Sequence, residues 1–326
     1  MASLETKYLG LILKNPLIVS SSSLTSSVEK IIEAEQNGAA AVVLKSIFEE
    51  QINFEAANYQ KIGKDNAEAF DYLQEYVSAN NLQTQLNLIK EAKKAVSIPI
   101  IASVNCFSDK KWIDFSKQFE DAGADALEIN IYIVPDDRKL SGADLENTYL
   151  NIIKKLVKKT NIPVSVKLSY HFTNMINMVD KIKGIGAKGV VLFNRFYEPD
   201  INIDTMEMTN TSVFSNESDI RFPLRWAAII SDQVKGIDIA SSTGVHSAEG
   251  LIKMILAGAD AVQICSVLYK NGYKEIKVML DGLEKWMHQR GFDSVEGFKG
   301  IMSYKSIPDP AVYQRSQFMK YFSNFE

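Results

Sequence analysis

Polar side chains that could do chemistry follow short apolar runs at intervals along this 326-residue chain. Lys45 and Lys167 stand out, because each lies at the end of a run rich in branched apolar residues, Ala41–Lys45 and Val164–Leu168. A lysine ammonium is costly to bury unless it is paired. The two lysines therefore predict an anionic ligand or partner at these run ends. The alternative interpretation is that they bridge to carboxylates at the rim.

A second group of polar residues ends the last two apolar runs. Thr243-Gly244 follows the run Asp238–Ser241, and Cys265-Ser266 follows the run Ala261–Ile264. Glycine lets backbone N–H groups approach phosphate oxygens, and Ser266 can begin a short helix over Ser266–Lys270. The pattern predicts a phosphate site, with an ordinary turn glycine and an N-cap serine as the alternative.

The elements that position these residues form a repeat. Near-continuous apolar runs, which are typical of strands buried on both faces, alternate with stretches of helical period. The eight candidate strands are Leu17–Ser20, Ala41–Lys45, Ile100–Ser103, Ala126–Asn130, Val164–Leu168, Gly189–Phe193, Asp238–Ser241 and Ala261–Ile264. A Gly-Ala turn precedes three of them, at 37–39, 122–125 and 257–260. The repetition predicts an α/β fold, a TIM (β/α)8 barrel, with residues 1–326 as a single domain.

In such a barrel the residues at the carboxyl ends of the strands form the active face. The candidates here are Ser20, Ser21, Lys45, Ser46, Asn105, Asn130, Lys167, Asn194, Arg195, Thr243, Gly244, Cys265 and Ser266. Two parts fall outside the repeat. Thr6–Leu13 predicts a short N-terminal hairpin that closes the barrel floor, and Glu50–Asn81 predicts an insertion after the second strand that contributes to the roof of the site.

Composition narrows the function classes. Lys and Arg total 36 against 40 for Asp and Glu, which gives a net charge of −4 and no basic run, so nucleic-acid binding is not expected. Two cysteines outside any C-x-x-C pair argue against a disulfide scaffold, and three scattered histidines do not suggest a metal site. The sequence contains no run of about 20 apolar residues, so it predicts no membrane span. We expect a cytoplasmic protein that acts on a small molecule, with a homodimer as one option.

In the order of several short motifs, the chain resembles the dihydroorotate dehydrogenase family, whose members are FMN-binding barrels. The likeness is to the soluble class 1 branch and to the pyrimidine-reducing domain of dihydropyrimidine dehydrogenase, over nearly the whole chain. The motifs are Gly10-Leu11 with Asn15-Pro16, Lys45-Ser46, Ile100–Ser103, Trp112 with Ala122–Asn130, Val166–Leu168, Asn194, and Thr243-Gly244 with Gln263.

This resemblance implies FMN as the cofactor. Ser20 and Ser21 would face the flavin and its ribityl chain, and Lys45 would lie near the reactive edge. Lys167 would lie beside N1 and O2 of the isoalloxazine, where its charge stabilises the anionic reduced flavin. Ser46 and Asn105 would complete the cofactor contacts on that side.

The other roles also follow by position from the resemblance. Gly244 and Ser266 would bind the phosphate, with backbone groups from Thr243 and Cys265. Asn130 would approach FMN or substrate, and Asn194 would contact a pyrimidine ring.

The chain departs from the family pattern at the proton-transfer step. Ile133 stands where the family has a Cys or Ser base, and isoleucine cannot transfer a proton. Asp136 and Asp137 follow closely, and either could serve as the base if the loop folds inward. The alternative is that both are solvated loop carboxylates. Arg195 could pair with an anionic substrate or form a surface salt bridge.

Three functional hypotheses therefore remain open. The first is an FMN-dependent oxidoreductase that acts on a C–C bond next to a carbonyl, with a dihydropyrimidine as the substrate class. The second is a flavin-binding barrel that has lost dehydrogenase activity. The third is a non-flavin barrel enzyme with a phosphate ligand. Flavin colour separates the third from the others, and reduction of the bound flavin separates the first from the second.

Overall fold

The computed structural model describes residues 2–48, 67–105, 112–196, 198–210 and 212–315. Within these ranges, parallel strands pair into a closed ring. The ring strands are β3 (Leu17–Val19), β4 (Ala41–Val43), β6 (Ile100–Asn105), β7 (Ala126–Asn130), β8 (Val164–Leu168), β9 (Gly189–Leu192), β12 (Asp238–Ser242) and β13 (Ala261–Ile264). Each pairs in parallel with the next along the chain, and β13 returns to pair with β3. The predicted TIM barrel is confirmed.

The strand predictions hold because these strands are buried on both faces. All residues of β7 and β8 are buried, as a sheet covered by an outer helical layer requires. The helices are α1 (Val28–Gln36), α2 (Ala67–Ala95), α3 (Trp112–Ala122), α4 (Gly142–Lys159), α5 (Met175–Ile185), α6 (Arg221–Gln233), α7 (Ala248–Leu256), α8 (Ser266–Asn271), α9 (Lys274–Arg290) and α10 (Ala311–Gln314). The predicted glycine turns are confirmed at Gly38, Gly123 and Gly258, where φ lies between 101° and 106°.

The predicted N-terminal hairpin closes the floor of the barrel. Strands β1 (Thr6–Tyr8) and β2 (Leu11–Leu13) pair antiparallel. Tyr8, Leu9 and Leu13 are buried in one cluster with small residues from the lower barrel interior, such as Ala126 and Ala261. The barrel is therefore filled at its lower end by this cluster.

Polar contacts tie this hairpin to the last strands. The Leu9 N–H donates to Oδ2 of Asp238 at 2.6 Å, and the Thr6 hydroxyl donates to the carbonyl of Asp260 at 2.8 Å. Burial, followed by the nearby Asp260 charge, raises the pKa of Asp238. Burial also raises the pKa of Asp260, although its carboxylate lies 2.9 Å from the ammonium of Lys299. The floor thus holds two acidic groups that are poorly solvated.

Three features extend beyond the predicted repeat. A two-residue strand, β5 (Ile47–Phe48), pairs with β6 at the upper edge of the barrel. A hairpin of β10 (Pro199–Asn202) and β11 (Glu207–Asn210) follows β9. Most of the predicted insertion after the second strand lies outside the described residues, and its described part, 67–81, belongs to α2. Among the described helices, none is long and apolar enough to cross a membrane.

Candidate active site

A cavity of about 540 Å³ lies at the carboxyl ends of β3, β8, β9, β12 and β13. It is the face on which TIM barrels build their active sites. Nine of the residues singled out from the sequence line it: Ser20, Ser21, Lys167, Asn194, Arg195, Thr243, Gly244, Cys265 and Ser266. The barrel topology therefore brings most of the predicted site together in one volume.

The floor of this cavity is a buried charged network. The Lys167 ammonium donates to Oγ of Ser20 at 3.0 Å and to Oε1 of Gln263 at 3.1 Å. It also lies 3.5 Å from Oε1 of Glu128, a carboxylate that is 1% exposed. Oε2 of Glu128 accepts a hydrogen bond from Nε2 of Gln263 at 2.5 Å. Lys167 is thus a buried cation with a carboxylate beneath it and the cavity above it.

Glu128 is the main residue that the sequence prediction missed. It lies in β7 two positions before Asn130, so both side chains point to the same face of the strand. The available signal was a lone acidic residue inside an otherwise apolar run. Lys167 therefore has an anionic partner, as its position at a strand end predicted; the alternative placed such a carboxylate at the rim, whereas Glu128 lies inside the barrel.

The candidate phosphate residues line the same cavity, after the ends of β12 and β13. Thr243 and Gly244 have φ values of +79° and +81°, and the Thr243 hydroxyl donates to the carbonyl of Phe193 at 3.1 Å. The backbone N–H groups of Gly244 and Ser266 donate to no other described residue. A Cβ on Gly244 would meet the backbone nitrogen of Ile220 at 2.1 Å. The glycine is therefore required by its own chain as well as by any bound phosphate.

Three further polar residues gather beside them and are not among the candidate site residues named from the sequence. Oγ of Ser215 lies 2.9 Å from Nε2 of His246, and the Ser215 carbonyl accepts from the Lys270 ammonium at 2.9 Å. The Ser215 N–H donates to Oγ of Ser266 at 3.1 Å. Burial and the Lys270 charge lower the pKa of His246. Lys270 thus places a positive charge beside the candidate phosphate residues.

Cys265 is partly buried at the start of α8, and burial raises the pKa of its thiol. A thiol in such a setting is protonated at neutral pH and is a poor nucleophile. Its contribution to the site is through its backbone, which starts the helix that carries Ser266.

Two amide side chains meet next to β9, where Asn194 lines the cavity and the buried Asn130 does not. Nδ2 of Asn194 donates to Oδ1 of Asn130 at 2.7 Å. Asn130 pairs in register with Asn105 of β6 on one side and with Lys167 of β8 on the other. The bond leaves donor capacity on Asn130 and acceptor capacity on Asn194. Together they can bind a group that carries both an N–H and a C=O.

Arg195 is held by its own chain. Its guanidinium lies 3.1 Å from Oδ2 of Asp219 and donates to the carbonyl oxygens of Ser212 and Val213 at 2.7 and 3.3 Å. It lines the cavity, but its charge is compensated by Asp219. Of the two interpretations drawn from the sequence, the salt bridge is therefore the one that the structure shows.

The loop that follows Asn130 presents no acid to the cavity among its described residues. The Ile133 N–H donates to the buried hydroxyl of Tyr149 at 3.0 Å, and the ring of Tyr132 stacks on Phe196 with centroids 3.8 Å apart. Asp136 and Asp137 are both exposed, and Oδ1 of Asp137 accepts from the Lys139 N–H. Neither aspartate is among the cavity-lining residues.

Lys45 and Ser46 lie outside the main cavity. Lys45 lines a separate pocket of about 210 Å³ against α2, where Gln85 binds its carbonyl oxygen at 2.6 Å. The chain leaves the strand at Val43, so Lys45 no longer follows the inward alternation that the sequence suggested. Ser46 is closer to the cavity, because its hydroxyl bonds to Ser21 at 3.0 Å and to Ser103 at 2.7 Å.

Comparison with known proteins places this arrangement in a family. The family model described as Dihydroorotate dehydrogenase matches residues 3–287. The catalytic subunit of dihydroorotate dehydrogenase B (NAD(+)) from Thermoplasma volcanium is 28% identical over 310 residues, which cover 92% of this chain and 99% of the relative. Dihydroorotate dehydrogenase A (fumarate) from Limosilactobacillus reuteri is 28% identical over 268 residues, 78% of this chain and 84% of the relative.

A relative that is named for a different activity is similar at lower identity. The NAD-dependent dihydropyrimidine dehydrogenase subunit PreA of Escherichia coli is 21% identical over 321 residues, which cover 94% of this chain and 78% of the relative. The match of the family model spans well over half of the residues. The chain belongs to the dihydroorotate dehydrogenase family.

Proposed function

We propose that this protein is an FMN-dependent oxidoreductase that acts on a C–C bond next to a carbonyl in a small cyclic amide of the dihydropyrimidine type. The observation that carries the proposal is the buried Lys167 ammonium at the floor of a cavity that Gly244 and Ser266 also line, with backbone N–H groups that donate to no other described residue. A flavin mononucleotide has a ring that becomes anionic on reduction and a phosphate at its other end, so it matches both.

The residues present fit such a group. A volume of about 540 Å³ falls in the range of pockets that bind drug-sized ligands. Ser20 and Ser21 supply hydroxyls along one wall, and Lys270 adds positive charge near the phosphate residues. No described residue of the cavity wall suggests a pocket for an adenine, which favours FMN over FAD.

When bound, FMN would supply the site that accepts hydride. The protein's own residues would bind, orient and stabilise. The Lys167 charge would stabilise negative charge that develops against the cavity floor, an effect that is strong where water is excluded. Asn130 and Asn194 would orient a ring N–H and C=O. The compensated charge of Arg195 offers little to a substrate carboxylate, which favours an uncharged ring.

Composition and family membership also lead us to expect a particular domain organisation, location and set of partners. Residues 1–326 would form a single FMN-binding domain, and the protein would act in the cytoplasm on a small molecule, without nucleic acid. A homodimer is the oligomer that we would test first.

A visible absorption spectrum of the purified protein tests the cofactor. We expect flavin bands, and release of FMN on denaturation, or uptake of added FMN by colourless protein. A protein that remains colourless after incubation with FMN would overturn the proposal. Gly244 and Ser266 would then be better explained as the phosphate site of a non-flavin barrel enzyme.

The proton-transfer residue defines a second test. Ile133 cannot act as a base. When the protein is mixed with dihydroorotate in a stopped-flow instrument, we therefore expect the flavin to bleach at a rate about 10²–10⁴-fold lower than in an enzyme that has a base. Fast bleaching would indicate that the loop folds inward and that Asp136 or Asp137 acts as the base. Asp136→Asn and Asp137→Asn, made separately, would then identify which one. If neither slowed the reaction, the proposed role of this loop would be wrong.

One observation favours a second candidate function. The stacked rings of Tyr132 and Phe196, with Ile133 beside them, form an apolar group where the proposed chemistry needs a proton acceptor. A flavin-binding barrel without dehydrogenase activity would show a normal flavin spectrum and no reduction by any dihydropyrimidine.

A further inference from the structure

The carboxylate beneath Lys167 has no role in the arrangement described so far. Glu128 is 1% exposed and does not line the cavity. Among the described residues, Lys167 is its only ion-pair partner, at 3.5 Å. We propose that Glu128 is a positioning residue that fixes the charge and the hydrogen-bonding pattern of the cavity floor through Lys167 and Gln263, and that it thereby lowers the reduction potential of the bound flavin. The last part rests on the proposed function.

Glu128 sets the orientation of the Gln263 side-chain amide. Glu128 Oε2 accepts only, so it requires the Gln263 amide to turn its Nε2 donor downward. Gln263 Oε1 then points toward Lys167 and Ser20, which both donate to it, at 3.1 and 3.0 Å. In this orientation every donor of the network meets an acceptor.

A neutral amide at position 128 would break this match. In Glu128→Gln, the new side chain would present one oxygen and one NH2 group to two donors, Lys167 Nζ and Gln263 Nε2. Turning the Gln263 amide over moves the conflict to Lys167 without removing it, because the ammonium can only donate and would face the amide NH2 group. A carboxylate is therefore the side chain that satisfies the network, and its presence accounts for an acidic residue in an otherwise apolar strand.

The negative charge of Glu128 also acts on the cavity above Lys167. A buried cation is stable only when it is paired, and here the pair is stacked along the barrel axis with Glu128 below and the cavity above Lys167. A negative charge that develops in the cavity is attracted by Lys167 and, from farther away, repelled by Glu128. The carboxylate therefore weakens the stabilisation that Lys167 alone would give, and this holds the flavin potential down.

The flavin potential provides the decisive measurement. In Glu128→Gln we expect the reduced flavin to bind at least tenfold more tightly relative to the oxidised flavin, which is an upward shift of about 30 mV for a two-electron couple. Glu128→Asp, which keeps the carboxylate, should lie closer to the wild-type potential. If Glu128 had only a structural role, the flavin potential would not rise more in Glu128→Gln than in Glu128→Asp.

An exposed lysine–carboxylate pair serves as the matched control. Lys277 and Asp281 lie 3.0 Å apart on the surface of α9, and both side chains are largely exposed. Asp281→Asn removes one carboxylate, as Glu128→Gln does, and should leave the flavin potential unchanged. An equal shift in both variants would overturn the inference, since it would show a general effect of net charge.

A stability measurement tests the pair without any flavin. Glu128→Gln leaves a buried cation unpaired, Lys167→Met leaves a buried carboxylate unpaired, and the double variant leaves neither. We expect flavin-free protein of the double variant to melt at a higher temperature than the less stable single variant. If Glu128→Gln does not fold, the double variant should recover folding. A double variant no better than the worse single variant would overturn the inference.

The two proposals fail in different ways. A wild-type protein that binds no flavin overturns the proposed function, and with it the claim about the potential, while the melting temperatures still decide whether the pair is coupled. A wild-type protein that binds flavin, with an unchanged potential in Glu128→Gln, overturns the present inference alone.

Discussion

Gly244 follows β12 and lies against the backbone of the short 3-10 helix Glu217–Ile220, which precedes α6. Its φ is +81°, and an added Cβ would lie 2.1 Å from the nitrogen of Ile220 and 2.6 Å from the carbonyl carbon of Asp219. Ordinary van der Waals contact begins near 3.4 Å, so the backbone at 219–220 would have to retreat by about 1.3 Å. Gly244→Ala therefore carries two costs, one from conformation and one from crowding.

The size of each cost follows from the geometry. A left-handed backbone conformation costs a non-glycine residue roughly 1–2 kcal/mol. Overpacking against a well-ordered neighbour adds about 1–3 kcal/mol. Gly291 provides the control, because its φ is +75° and an added Cβ would meet nothing within 4 Å. Gly291→Ala should therefore lose only the conformational part, and the gap between the two variants measures the close approach at Ile220.

Thermal unfolding of the two variants gives that gap. One kcal/mol shifts the melting temperature by about 2–4 °C for a domain of 150–250 residues, so Gly244→Ala should melt several degrees below Gly291→Ala. It should also take up less FMN, because the retreat of Asp219 disturbs Arg195 on the cavity wall. Equal melting temperatures in the two variants would show that the loop yields freely, and would refute the reasoning.

Two further predictions concern groups away from the cavity floor. Tyr149→Phe removes the acceptor for the Ile133 N–H, so we expect a loss of about 1–3 kcal/mol in the free energy of unfolding, measured with denaturant; no loss would mean that the N–H finds water. Asp238 has a raised pKa in the folded state, caused by burial and then by Asp260, so the folded protein binds the proton more tightly and loses stability as pH rises through that pKa. Asp238→Asn keeps an acceptor for the Leu9 N–H, and it should melt higher than the wild type at pH 7, with the advantage disappearing below about pH 4. An advantage that persists at low pH would contradict this explanation.

The barrel could be predicted from the sequence because its signals are local. A strand such as Val164–Leu168 is apolar almost throughout, since both of its faces are covered, and the glycine turns before Ala126 and Ala261 repeat with little change. The exposed hairpin Pro199–Asn202 and Glu207–Asn210 was not predicted. The first of these strands is exposed at every position, so it carries no alternation between buried and exposed residues that could reveal it.

The candidate site was predictable only where one residue type at a strand end carries the information. Lys167 and Asn194 were identified in this way. Glu128 was not, because its meaning depends on Gln263, which is 135 positions away along the chain. The pairing of Arg195 could not be settled either, since Asp219 belongs to a short 3-10 helix, Glu217–Ile220, that was not predicted from the sequence. Side-chain partners across the barrel depend on register and on loop conformation, which local patterns do not specify.

The hairpin that closes the barrel floor also constrains the order of assembly. Its polar contacts reach residues from the far end of the chain: the Leu9 N–H donates to Oδ2 of Asp238, and the Thr6 hydroxyl donates to the carbonyl of Asp260. Contacts over such long separations in sequence form slowly, because the loop that they close is large. During synthesis the hairpin emerges before these partners. The cluster around Tyr8 and Leu13 therefore stays incomplete until Ala240 of β12 and Ala261 of β13 have been made.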